Sequence, residues 1–205
     1  YVLPPAPPVA VLVSEAQVKL GPHADFLQPV ITAGARRQRL ETGVRHPGGG
    51  GVVRIDGLYL VGDKRHADLT TEVVHEGLEG ETSQLTKGMV RDQARAVFQG
   101  KIIVAEGADR TDARMGHHAL LLSDRAEVDA KPELEIYADD VSCSHGNTVG
   151  ALDEDALFYA MQRGIPELQA RAMLTEAFLG EVVDRIGHEG AREVVRAWVA
   201  GRLEA

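Results

Sequence analysis

A mainly β chain with a helical C-terminal segment is the fold class these 205 residues predict, on three observations. Short apolar runs recur between Val52 and Val149. Glycine and aspartate punctuate them, as turns between strands require. Beyond Asp153 the apolar spacing changes from two to three and four, the period of an amphipathic helix.

Residues 1–51 mix prolines, a short alternating patch from Val9 to Val13 and the glycine run Gly48–Gly51. They are expected to be partly irregular or incompletely ordered. Four successive glycines carry high backbone entropy and no side chain to pack, which predicts a flexible link. No Lys-Ser/Thr follows them, so a phosphate-cradling loop is disfavoured. The opening YVLPPAPPVAVLV has no basic n-region for a signal peptide and no initiator Met, and is expected to belong to a fragment of a longer protein.

The next runs are Val52–Ile55, Leu58–Val61, Val97–Val104, Ala119–Leu122 and Leu134–Val141. Asp56-Gly57 between the first two is a hairpin signal and argues locally for antiparallel pairing. Pattern alone leaves sandwich, barrel and β-helix open, and no repeat of fixed length is evident.

The segment KPELEIYADDVSCSHGNTVG, Lys131–Gly150, carries the only cysteine, two positions before a histidine. Leu134, Ile136 and Ala138 alternate with Glu133, Glu135, Tyr137 and Asp139, as in a strand with two unlike faces. Continued through Val141, that strand places Cys143 and His145 on one face, with Cα atoms roughly 7 Å apart, within reach of one soft metal. Gly146 and Asn147 are expected to turn the chain. Two ligands are half of a tetrahedral set, so the remainder is expected from elsewhere, such as a second chain. Taken singly, cysteine and histidine are as readily core residues.

Other candidates are weaker. His117-His118 read as turn or strand-edge residues, His75 as lining a strand face, and His23, His46, His66 and His188 as surface residues. Asp139 and Asp140 point to opposite faces of an ideal strand and do not suit a glycosidase pair. Ser142 and Ser144 lack a G-x-S-x-G elbow. No Walker motif is present, so nucleotide hydrolysis would belong to a partner.

Asp153 is the expected N-cap of a first helix, with Glu154 and Asp155 in its first turn, Leu157, Phe158 and Met161 as its buried stripe, and Gly164 ending it. A second helix opens at Pro166, buries Leu168, Ala172, Leu179, Val182 and Ile186, and ends at Gly187. A third, from Ala191 to Leu203, carries Val194, Val195 and Trp198.

Charge and composition narrow the partners. With 31 acidic against 22 basic residues the net charge is −9, and aromatics make up 4% of the chain, which disfavours nucleic acid. No apolar run suits a bilayer span. One cysteine fits a reducing compartment, the cytoplasm by default.

The run Lys131–Gly150, followed by LDEDALFYAMQRGIP and preceded by ARAVFQGKIIVAEGADRTDARMGHHALLLSD, closely resembles the C-terminal half of the SufB/SufD family of iron–sulfur cluster assembly proteins, on its SufD branch. The likeness spans about residues 57–187 and fades beyond Gly187; family members are about twice as long. It implies a right-handed parallel β-helix over residues 52–150, against the local hairpin signal, and a C-terminal helical region, 151–205, that docks a SufC ATPase. It further implies a non-catalytic scaffold subunit paired with SufB, with Cys143 and His145 at their interface on a transient iron–sulfur cluster shared with SufB. Leu157, Phe158 and Tyr159 are the expected ATPase contacts. The alternatives are a purely architectural subunit, a homodimer without cluster ligation and, less in keeping with the residues, a β-helix carbohydrate-active enzyme.

Overall fold

A computed structural model describes residue 7 and residues 9–203; the rest of the proline-rich opening, residues 1–6 and 8, lies outside the described residues. Ten strands run in chain order: β1 (Val11–Lys19), β2 (Phe26–Thr32), β3 (Arg37–His46), β4 (Val52–Val61), β5 (His66–His75), β6 (Glu81–Val90), β7 (Arg95–Val104), β8 (Asp112–Leu121), β9 (Glu127–Ile136) and β10 (Ser142–Gly150). Odd-numbered strands form one parallel sheet in the order β1-β3-β5-β7-β9. Even-numbered strands form a second, in the order β10-β8-β6-β4-β2. Each coil therefore gives one strand to each sheet, and the two sheets enclose a common core. This is a parallel β-solenoid.

Alternation decides which residues enter that core. Along β7, Ala96, Phe98, Gly100, Ile102 and Val104 are buried while the residues between them are more exposed. In-register parallel pairing stacks like on like: Val44, Val73, Ile102 and Leu134 make one interior file, and Leu40, Leu69, Phe98 and Ala130 another. Coils advance by 26 residues at Val11–Arg37 and by 32 at Arg95–Glu127. That drift, absorbed at the corners, hides the repeat from a fixed-period reading.

Two local expectations are corrected. Asp56-Gly57 is no hairpin; β4 runs straight through it. A Cβ on Gly57 would lie 2.7 Å from Thr86 Oγ1, so this glycine answers crowding by the next coil. The Asp56 carboxylate faces outward and accepts from the Leu85 amide at 3.1 Å. The glycine run is likewise no loose link. Gly48, Gly49 and Gly50 take φ of +83°, +75° and +74° at the corner between β3 and β4, and a Cβ on Gly48 would meet the Leu78 carbonyl oxygen at 2.4 Å. Strands β1–β3 belong to the same two sheets as the rest.

Three helices follow: α1 (Glu154–Gln162), α2 (Glu167–Asp184) and α3 (Glu189–Leu203). The Asp153 carboxylate accepts from the Asp155 and Ala156 amides as expected of an N-cap, and Gly164 takes φ +84° past the end of α1. Leu179, Val182 and Val183 of α2 and Ile186 just past its end, with Val195 and Val199 of α3, cover Ile31, Leu58, Leu60, Leu85 and Met89 on the outer face of the even sheet. Each such side chain contributes about 1.5–3 kcal/mol by burial. The stripes are narrower than expected: Phe158, Met161, Leu168 and Val194 are exposed. No helix among the described residues is long and apolar enough to cross a membrane.

Polar contacts set where α2 sits. Arg185 Nε donates to Asp56 Oδ2 at 3.0 Å, and its Nη2 to Ser83 Oγ at 2.8 Å. Lys87, itself buried, pairs with Glu181 and lies 4.4 Å from the Phe178 ring. Burial raises the Asp56 carboxyl pKa, opposed by Arg185. Removing the guanidinium strands that carboxylate, so Arg185→Ala is expected to cost about 3 kcal/mol in urea unfolding, and Asp56→Asn combined with Arg185→Ala noticeably less.

Candidate functional site at the open coil

The C-terminal coil of the solenoid exposes its interior. Among the described residues no strand stacks beyond β10, which pairs with β8, or beyond β9, which pairs with β7. Both strands present unpaired backbone edges. Residues that would be core in an inner coil reach solvent here: Ile136 is 42% and Val149 40% exposed, beside Tyr137 at 63%.

Cys143 and His145 lie on this rim. Register places Cys143 beside Ala113 and His145 beside Met115, both buried interior residues, so the pair shares the inward face of β10. The shared face was expected; its route was not. The strand breaks after Ile136, turns a corner through residues 137–141 and resumes at Ser142. Nor do Gly146 and Asn147 turn the chain, because β10 continues to Gly150.

Their surroundings differ. Cys143 is half-buried against the core and His145 exposed. Burial pushes the Cys143 thiol pKa up, only partly offset by a hydrogen bond to the Ala113 backbone. The free thiol therefore favours its protonated form, and ligation would displace that proton. Among the described residues no group of three or more His, Cys, Asp or Glu side chains is placed to hold a metal ion.

The remaining carboxylates are engaged or splayed. Glu133 pairs with Lys131 at 3.0 Å and Glu135 with Lys101 at 2.7 Å, while Asp139 and Asp140 occupy the corner before β10.

Two histidines are misjudged by sequence. His46, expected at the surface, and His117, expected at a turn or edge, are fully buried, as is His75, which lines the inner face of β5 with Val73 as expected. His46 and His75 stack with centroids 4.8 Å apart; His46 Nδ1 accepts from the Gly48 amide, and His75 Nε2 lies 2.9 Å from Thr82 Oγ1. His117 stacks on Phe98 at 4.6 Å, while its ring nitrogens meet Tyr59 Oη at 2.9 Å and Asn147 Oδ1 at 2.7 Å. On the opposite face His118 Nδ1 meets Thr148 Oγ1 at 2.7 Å, so β10 is fastened to β8 from both sides.

Burial lowers the pKa of His117 to about 4, and burial with neighbouring His46 does the same to His75. An unfolded histidine titrates near 6.5, so between pH 6.5 and 4 the unfolded chain binds protons the folded chain refuses. Stability is then full above pH 6.5 and falls as pH drops toward 4, by roughly 3 kcal/mol per histidine. Urea midpoints measured from pH 7 to pH 4.5 are expected to decline steeply, and His75→Gln to flatten part of the decline.

The helical candidates divide. Leu157 is buried and unavailable to a partner, whereas Phe158 and Tyr159 are 64% and 59% exposed. Leu168 of α2, expected inside, is 84% exposed, with Met161 and Met173 also exposed.

Fold and rim together define a two-sheet parallel solenoid with a thiol–imidazole pair on its open C-terminal coil and a helical cover on one sheet. Residues 8–178 match the family model described as the SufBD core domain of the SUF system for iron–sulfur cluster assembly. The chain belongs to the SufBD family, on its SufD branch. It is 40% identical over 165 residues to the iron–sulfur cluster assembly protein SufD of Escherichia coli K12, covering 80% of this chain and 39% of that protein. It is 35% identical over 126 residues to Bacillus subtilis SufD, covering 62% of this chain and 29% of the relative. A SufBD family protein of Mycobacterium tuberculosis H37Rv is 30% identical over 199 residues, 93% of this chain and 50% of its own length. The chain thus spans half or less of these relatives.

Proposed function

We propose that this chain serves as a SufD-like scaffold subunit in iron–sulfur cluster assembly, pairing through its open coil with a SufB-like subunit and presenting Cys143 and His145 to a transient cluster shared between them. The observation that carries the reading is the inward-facing pair on an uncapped coil, since a solenoid end needs a partner to cover its apolar rim. The cluster is cargo here. His145 offers an imidazole, Cys143 a thiol that gives up its proton on ligation, and the partner completes the ligand set. The exposed Phe158, Tyr159 and Leu168 are the apolar contacts proposed for a SufC-like ATPase, which would supply the ATP-driven step that this chain, without a Walker motif, does not.

One observation favours a second reading. Cys143 packs partly against the core, as it would in a subunit that holds its partners in register without touching the cluster. Co-purification of the full-length protein with SufB-like and SufC-like chains, followed by iron and sulfide analysis, separates the two. The scaffold-site reading expects iron and sulfide that depend on His145. The architectural reading expects no change when both Cys143 and His145 are alanine. Light scattering with and without the SufB-like chain tests for a homodimer.

A further inference from the structure

The interior of the even sheet holds a line of polar groups running along the solenoid to its open end. Tyr59 on β4 spans the width of Gly88 on β6 and reaches His117 on β8, which reaches Asn147 on β10. Tyr59 and His117 are fully buried, and Asn147 is exposed on the rim.

The polarity of this line follows from its buried end. Tyr59 Oη has His117 Nε2 as its hydrogen-bond partner among the described residues. A buried hydroxyl whose proton lacked an acceptor would carry a desolvation penalty, so Tyr59 donates and Nε2 accepts. A neutral imidazole that accepts at Nε2 carries its proton at Nδ1. That proton goes to Asn147 Oδ1, 2.7 Å away. With its oxygen engaged inward, Asn147 turns its amide NH2 toward the open end, at the next inward-facing position after His145.

We infer that Asn147 is a further residue of the open-end site, donating N–H hydrogen bonds to an anionic sulfide of the nascent cluster, with His117 and Tyr59 as the positioning residues that fix its orientation. This rests on the proposed function, because the sulfide is the cargo of that reading. Sulfide is an acceptor without protons to offer, and donors aimed at cluster sulfurs tune their stability and potential. A rim amide pointing the other way would set a carbonyl dipole against that charge.

Two measurements test it. Nitrogen-15 NMR of the full-length protein labelled at histidine is expected to show His117 protonated at Nδ1 and not at Nε2, a readout that needs no cluster. A spectrum with Nε2 protonated overturns the assignment. The second compares Asn147→Asp with His145→Ala in the co-purified complex supplied with ferrous iron and sulfide. Aspartate can still accept from His117 but turns a carboxylate oxygen outward, and is expected to lower retained sulfide at least fivefold without shifting the melting temperature. Full retention in Asn147→Asp alongside loss in His145→Ala overturns the donor role of Asn147 alone. Full retention in His145→Ala overturns the proposed function beneath it.

Discussion

Alanine at Gly88 is expected to destabilise the solenoid by about 3 kcal/mol or more, a large effect for one added carbon. A Cβ on Gly88 would lie 1.9 Å from Cε2 of Tyr59 and 2.0 Å from Cζ. That ring is fully buried, and its hydroxyl is tied to His117, which is stacked in turn on Phe98. Buried and tied in this way, the ring can make room only if the coils part or if it leaves and abandons its hydrogen bond. Both outcomes destabilise, by strain or by an unmet buried polar group. Gly146→Ala is the control. A Cβ there meets nothing within 4 Å, and its effect is expected within about 0.5 kcal/mol. Urea unfolding of the two variants side by side checks the pair.

The second large effect concerns function. His145→Ala is expected to remove most of the iron and sulfide carried by the complex while leaving folding intact. The histidine is exposed and contributes little to the core, so its melting temperature should stay within about a degree of the parent. Cys143→Ala should act more mildly on cargo but cost some stability, because its side chain packs against the core beside Ala113. The two variants thus separate ligation from packing. Iron and sulfide analysis of the purified complex, paired with a thermal melt of the subunit alone, reads both.

Sequence pattern made much of this molecule legible, unevenly. Alternation around Leu134 correctly gave a two-faced strand, and the Asp153 cap and Gly164 correctly bounded α1. The sharing of a face by Cys143 and His145 also followed from strand periodicity. What failed depended on the neighbouring coil. Asp56-Gly57 looks like a hairpin because the sequence cannot show Thr86 pressing on Gly57 or Arg185 holding Asp56. Gly48–Gly51 looks loose because its contacts, Gly77 and Leu78 against Gly48 and Ala24 against Gly51, come from neighbouring coils. Buried histidines are the sharpest case. His46 and His117 are polar by type, and only their stacking and hydrogen bonds let the core accept them. Helical spacing overstated the apolar stripes of α1 and α2, since Phe158 and Leu168 fit the period yet are exposed.

On the proposed function, the open coil places the His145 imidazole on cargo shared with a second subunit. Electron–nuclear spectroscopy on the reduced complex, with nitrogen-15 histidine introduced into this chain alone, addresses it directly. A strongly coupled nitrogen-15 signal that disappears in His145→Ala is the predicted result. A cluster of full occupancy with no histidine nitrogen coupled to it would contradict the assignment and leave this chain a structural partner.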